Sequence, residues 1–298
     1  MKRAATVILI FAASTLLSAQ QQPPAGQTPP AQTGQPAQAT AAPQQGKRPA
    51  QAKTQAEYDA FNAAMNNRSD AAAMEKAADD FAAKYGDSDL RVLMYRQAMR
   101  AYQSSNNGDK TYEMAQKALK LDPDDPDALV GAAEVLAERT RDTDLDKDQR
   151  WAEAQKDAQH ALDTIDTDIT IPAGTPQDKV DAYKRYLRSS AYSILGAIAS
   201  NQEKYPDAEN YYRKADALDP SQPDPVVVLR LAIALDKQNK YPDALKEANR
   251  AVDLTQESTT VGTLARRERD RLVQLTGGTA PASKPPASGT PNPNPSSH

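Results

Sequence analysis

Between Asp142 and Glu153 the run DTDLDKDQRWAE sets Asp142, Asp144, Asp146, Asp148 and Glu153 at closely alternating positions. A hard cation such as Ca2+ takes several carboxylate oxygens from a flexible loop, with a final Glu able to bind through both of its oxygens. The stretch is therefore a candidate Ca2+ site. Against it, Lys147 holds the sixth place, where a sharp turn calls for glycine, and Gln149 stands where an aliphatic residue is usual. A solvated acidic turn is the competing reading, with Trp151 beside it as a core anchor. A second candidate is aromatic. Tyr192, Tyr205, Tyr211, Tyr212 and Tyr241 could offer a platform to sugar rings, although at helical spacing the same residues serve as packing.

The acidic spacing resembles the calcium loop of an EF-hand, apart from the two departures just named. Catalytic groups are sparse. The two histidines are His160 and His298, cysteine is absent, no serine sits in a nucleophile elbow, and no glycine-rich phosphate loop occurs. Carboxylates are plentiful, but nothing in their spacing singles one out as a general acid. The expectation is a protein that is not an enzyme and needs no cofactor beyond the candidate Ca2+.

The elements that must position such groups occupy only part of the chain. Met1-Lys2-Arg3, an apolar run of 14 residues from Ala4 to Leu17, and then Ser18-Ala19 read as a signal peptide over 1–19. That run is short for a membrane span, which needs about 18 residues or more, so a membrane role arises only if the segment is retained as an anchor. Export to a bacterial periplasm or cell surface is the expectation. Residues 20–53 are almost wholly Gln, Pro, Ala, Thr and Gly, and residues 277–298 are Gly, Pro, Ala, Ser, Thr and Asn apart from Lys284 and His298. Both lack the large apolar residues needed to offset ordering entropy, so both are expected to be disordered. The stretch 54–276 holds 30 basic and all 40 acidic residues. That acidic balance excludes nucleic acid, whose binding needs a basic footprint.

Within 54–276 apolar residues recur at three and four, alanine is frequent, and no period-two run of β-branched residues appears. Helices are expected over 54–66, 69–84, 89–105, 109–120, 126–139, 148–164, 176–202, 206–217, 225–238, 242–254 and 259–275. The starts are signalled by Asp224-Pro225 and Thr175-Pro176, an N-cap before a first-turn proline, and by Pro206-Asp207 and Pro242-Asp243. The pentapeptide KYPDA occurs at Lys204–Ala208 and again at Lys240–Ala244, 36 residues apart.

Around the first copy lie Tyr192, Leu195-Gly196, Tyr205, Ala208, Tyr212, Ala215 and a closing Leu218-Asp219-Pro220. This pattern resembles the tetratricopeptide repeat, a helix–turn–helix unit of about 34 residues. Further units fall at about 55–88, 92–125, 126–162 and 225–258 beside 189–222, with 259–275 as a polar capping helix. The resemblance implies an all-α solenoid of stacked helix pairs. It also implies a concave groove for an extended protein or peptide partner, lined by the first helix of each unit. Carried over unit by unit, the groove places are Arg96, Gln97 and Arg100, then Val130 and Glu134, then Ser193, Ile194 and Ala197, and finally Arg230 and Ile233. The function implied is an exported scaffold or adaptor. Two alternatives stand beside it: a binder of envelope glycan, and a calcium-responsive module using 142–153.

Overall fold

The computed structural model describes residues 47, 49–171 and 175–277. The expected signal segment, most of the linker and nearly all of the tail lie outside the described residues. Eleven helices occupy the rest: α1 Gln55–Met65, α2 Ala71–Lys84, α3 Leu90–Ser104, α4 Gly108–Leu121, α5 Pro126–Arg139, α6 Lys147–Thr164, α7 Gln177–Asn201, α8 Tyr205–Asp216, α9 Pro225–Lys237, α10 Tyr241–Asp253 and α11 Thr260–Thr276. No strand occurs among the described residues. None of the described helices is long and apolar enough to cross a membrane.

Local chemistry sets the helix ends. The side chains of Thr54, Asp70, Asn107, Asp125, Asp224 and Thr259 each accept a first-turn N–H, satisfying donors that lack a partner inside the helix. The cap of α7 differs from expectation. α7 begins at Gln177, with Pro176 rather than Thr175 as the flanking residue. The turns within three helix pairs share another device. Asn106, Glu203 and Asn239 adopt φ of 58°, 59° and 60°. The next amide in each case donates to a carbonyl five residues back, that of Tyr102, Ala199 or Leu235. This left-handed closure reverses the chain tightly and brings the following helix down against its partner.

Each helix packs on the next in sequence, from α1 through α11. The odd-numbered helices also pack on one another across units, α1 on α3, α3 on α5, α5 on α7, α7 on α9 and α9 on α11. No comparable packing joins the even-numbered ones among the described residues. The odd row is thus the shorter, inner side of a curved stack. Small residues permit the close approach. A Cβ on Gly196 would lie 2.6 Å from the Tyr212 ring, and one on Gly131 would lie 2.5 Å from the Met99 sulfur. The core is a ribbon rather than a ball: buried residues form successive clusters, with Tyr112, Leu119, Tyr192 and Tyr211 bridging from one to the next.

Two features depart from simple repetition. α7 has 25 residues where α3, α5 and α9 have 15, 14 and 13. Its first half, through Tyr183 and Leu187, packs into the α5–α6 core together with Ile165, which caps the end of α6, and Ile169 from the connection between α6 and α7. The last part of the expected linker is also seated. Ala50 and Ala52 pack on the first core cluster, the Lys47 amide donates to the Thr167 carbonyl at 2.6 Å, and the Lys53 ammonium meets Asp87 at 2.8 Å.

Candidate partner-binding groove

The inner face begins at α3, where the side chains of Arg96 and Arg100 point toward the next unit. Arg96 is only 4% exposed. Its guanidinium donates to Asp127 at 2.8 Å and to Asp125 at 3.2 Å, both on or capping α5. Arg100 also donates to Asp127 and to the Tyr183 hydroxyl, which itself donates to Asp127 at 2.7 Å. Burial disfavours the Asp127 charge, yet Arg100 and Arg96 overcome it and hold this carboxyl well below the usual range. Asp125 is shifted the other way, raised by burial against the pull of Arg96. Arg96 is therefore a buried tie between units, while Arg100 keeps a half-exposed edge on the groove. Gln97 reaches back, its amide donating to the Arg68 carbonyl at 3.2 Å.

Farther along, α5, α7 and α9 enclose a recess of about 500 Å³. Ala197, Arg230 and Ile233 line it, joined by Glu138, Ser200 and Asn201. Ser193 is partly exposed, whereas Val130 and Ile194 are buried in the core between helices. Glu134, one turn before Glu138 on α5, is half-buried and accepts a hydrogen bond from the Gln103 amide. Burial, and next the charge of Glu138, push the Glu134 carboxyl up to about 7, with Gln103 and Arg230 opposing. Of the ten groove places, the structure thus gathers Ala197, Arg230 and Ile233 at one recess, sets Glu134 one turn from its Glu138, leaves Arg100 half-exposed at the α3 end of the face, and turns Arg96, Val130 and Ile194 inward.

Other residues of this face were not among the expected places. Glu138 lies four residues beyond Glu134 on the same helix face, so helical spacing alone could have found it. Tyr183 and Tyr186 sit on the first half of α7, which has no counterpart in a standard unit. The available signal was that helix's length. Tyr186 is 58% exposed and stacks on Tyr183 with ring centroids 6.4 Å apart.

The two alternative sites take a different form. In the acidic loop Asp144 accepts the Arg141 amide at 2.9 Å, Asp146 faces Arg150 at 3.4 Å, Asp142 faces Lys147 at 3.9 Å, and Glu153 accepts from the Tyr112 hydroxyl at 2.8 Å. Asp144 and Asp146 share Arg150, which lies 3.7 Å from Asp144, while Asp142 and Glu153 turn to Lys147 and Tyr112, and Asp148 stands in the first turn of α6. Among the described residues no three His, Asp or Glu side chains are grouped to hold a metal ion. The tyrosines are spread through the packing. Tyr212 is 1% exposed, Tyr192 stacks on Tyr211, and Tyr205 and Tyr241 open the second helices of their pairs, half-buried. His160 pairs with Asp124 at 2.8 Å on the exposed side of α6.

Comparison with known proteins agrees with this architecture. The sequence model of the tetratricopeptide repeat matches residues 201–267, the end of α7 through the first half of α11. Among solved structures, pilF of Pseudomonas aeruginosa is 16% identical, with a TM-score of 0.50 over 75% of this chain and 93% of that one. That likeness is one of fold. YrrB, a tetratricopeptide-repeat protein with an unusual peptide-binding site, is 16% identical with a TM-score of 0.44, covering 67% of this chain and 85% of its own. A thermophilic tetratricopeptide-repeat protein of Thermus thermophilus is 13% identical with a TM-score of 0.46, covering 71% of this chain and 98% of its own. No curated protein sequence matches the chain significantly.

Proposed function

We propose that this chain is a non-catalytic tetratricopeptide-repeat scaffold that holds a protein or peptide partner along the inner face of its odd-numbered helices. The observation that carries this reading is the packing of the odd helices on one another, which leaves one continuous face with a recess at Ala197, Arg230 and Ile233. A concave face of rigid helices suits an extended segment, since the scaffold is already ordered and only the partner loses freedom on binding. The acidic balance of 54–276 keeps nucleic acid out of the proposal. Export to a bacterial envelope belongs to it, supported by the charged and then apolar start of the sequence, Met1 to Leu17. Envelope assembly or secretion is the setting such a scaffold would serve.

The test is site-specific photo-crosslinking in envelope extracts. A crosslinker at Ile233, on the inner face, should trap a discrete partner, and one at Lys214, exposed on α8, should not. Ile233→Asp should abolish capture without changing the helical content of the protein. Equal trapping from both positions, or capture unaffected by Ile233→Asp, would remove the groove from the account.

A further inference from the structure

Charge is unbalanced in the middle of the inner face. On α3, Arg96 and Arg100 are matched by Asp125 and Asp127. On α5, Glu134 and Glu138 face a single cation from α9, Arg230, which meets Glu138 at 3.7 Å. Glu134 has the uncharged Gln103 amide as its hydrogen-bond donor. Burial and the charge of Glu138 raise its carboxyl to about 7, so near neutral pH it is partly protonated. Beside it, Tyr186 presents an exposed ring, raised at its hydroxyl by partial burial and then by Glu134 and Asp127. Ile233, 39% exposed, and Ala197 supply an apolar wall to the adjoining recess.

A carboxylate pair, an open aromatic face and an apolar wall together suit a long aliphatic stem with a cationic head. We propose that the recess between α5, α7 and α9 takes a lysine or arginine side chain of an extended partner segment, with its head at Glu134 and Glu138 and its stem along Ile233 and Ala197. The inference rests on the groove reading above and adds the chemistry of what enters it. Entry of the cation displaces the proton from Glu134, so affinity falls as the pH drops below about 7. With one linked proton the fall is at most about tenfold per pH unit. The groups around Glu134 and Tyr186 are Arg100 and Gln103 from α3, Asp127 and Glu138 from α5, and Arg230 from α9.

The experiment is an NMR titration of the full chain with short Ala/Ser/Pro peptides that differ only at a central residue: Lys, Arg, norleucine or Glu. Shifts at Ala197, Arg230 and Ile233 locate the site. Lys and Arg peptides should bind about tenfold tighter than norleucine, Glu should bind most weakly, and the preference should vanish in Glu134→Gln/Glu138→Gln. Equal binding of all peptides at these residues would overturn the cation inference and leave the groove reading standing. Peptides that leave these residues unshifted would overturn both. A further arm uses a chain lacking residues 278–298, whose one charged side chain is Lys284. If cation preference emerges only there, the occupant is the chain's own lysine and a partner segment is overturned.

Discussion

Glu134 links a proton to folding, and the sign of that linkage can be worked out. Its carboxyl is raised from 4.5 to about 7 by burial and Glu138. Between those values the folded chain binds more protons than the unfolded chain, so stability falls as pH rises through that window and levels above it. Glu134→Gln should therefore raise stability at pH 8 by about 1–2 kcal/mol and change little at pH 4.5, read as urea midpoints at the two pH values. A second residue, Glu203, holds the left-handed turn position that Asn106 and Asn239 fill in two other pairs. A Cβ-bearing residue with a long side chain is poorly suited there, and Asn is better tolerated. Glu203→Asn should stabilise by a few tenths to about 1 kcal/mol in the same assay. The recurrence of the turn was legible through the repeated KYPDA that follows it. The Glu134 shift was not, because its largest cause is burial, which depends on how neighbouring helices pack around α5. Arg96 illustrates the same limit: its place in the repeat pattern is on the first helix, yet its partners lie 29 and 31 residues onward and draw it inside.

At the scale of elements, the contact between α7 and α8 depends on Gly196. Its missing side chain makes room for Tyr212, which is 1% exposed and whose ring cannot move aside cheaply. Gly196→Ala should destabilise by about 1–3 kcal/mol through overpacking, and pairing it with Tyr212→Leu should recover part of the loss in denaturant unfolding. The first half of α7 is tied by the Arg96–Asp127–Tyr183 cluster. Tyr183→Phe removes the hydroxyl that donates to Asp127 and accepts from Arg96 and Arg100, but leaves Asp127 with two arginines, an expected loss of about 1–2 kcal/mol. Arg96→Met leaves buried Asp125 and Asp127 short of their cation and should lose about 3–5 kcal/mol. Hydrogen exchange over 177–188 should rise in both variants, more in the second. The helices themselves were legible to within two residues at every end, because caps, first-turn prolines and the 3.6-residue pattern agree locally. The docking of α7's first half was not legible, since nothing in a repeat pattern says where an extension folds back. Nor was the burial of Ile165 and Ile169, which fall between the expected helices 148–164 and 176–202.

For the whole molecule, stability should be distributed along a line rather than concentrated in one core. Each helix pair touches its neighbours, and the buried clusters run in succession from Ala64 to Leu272. The end of such a line needs a helix that is apolar on one side and polar on the other. α11 meets that need. Ala265 and Leu272 are fully buried against α9 and α10, while Arg267, Glu268, Asp270 and Arg271 on other sides carry charge. Ending the chain at Leu254 would uncover Val228 and Leu229, now 0% and 5% exposed, together with the Leu235 side of α9. Each large aliphatic residue returned to water forfeits about 1.5–3 kcal/mol, so the shortened protein should unfold at a lower urea concentration and self-associate through the bared α9–α10 surface. Light scattering after size exclusion, beside urea titration, measures both effects. Retention of the full-length midpoint and of monomer mass would show that α10 already closes the stack and that α11 serves some other surface. The distinction matters for the groove, because α11 is the odd-numbered helix that extends the inner face beyond α9.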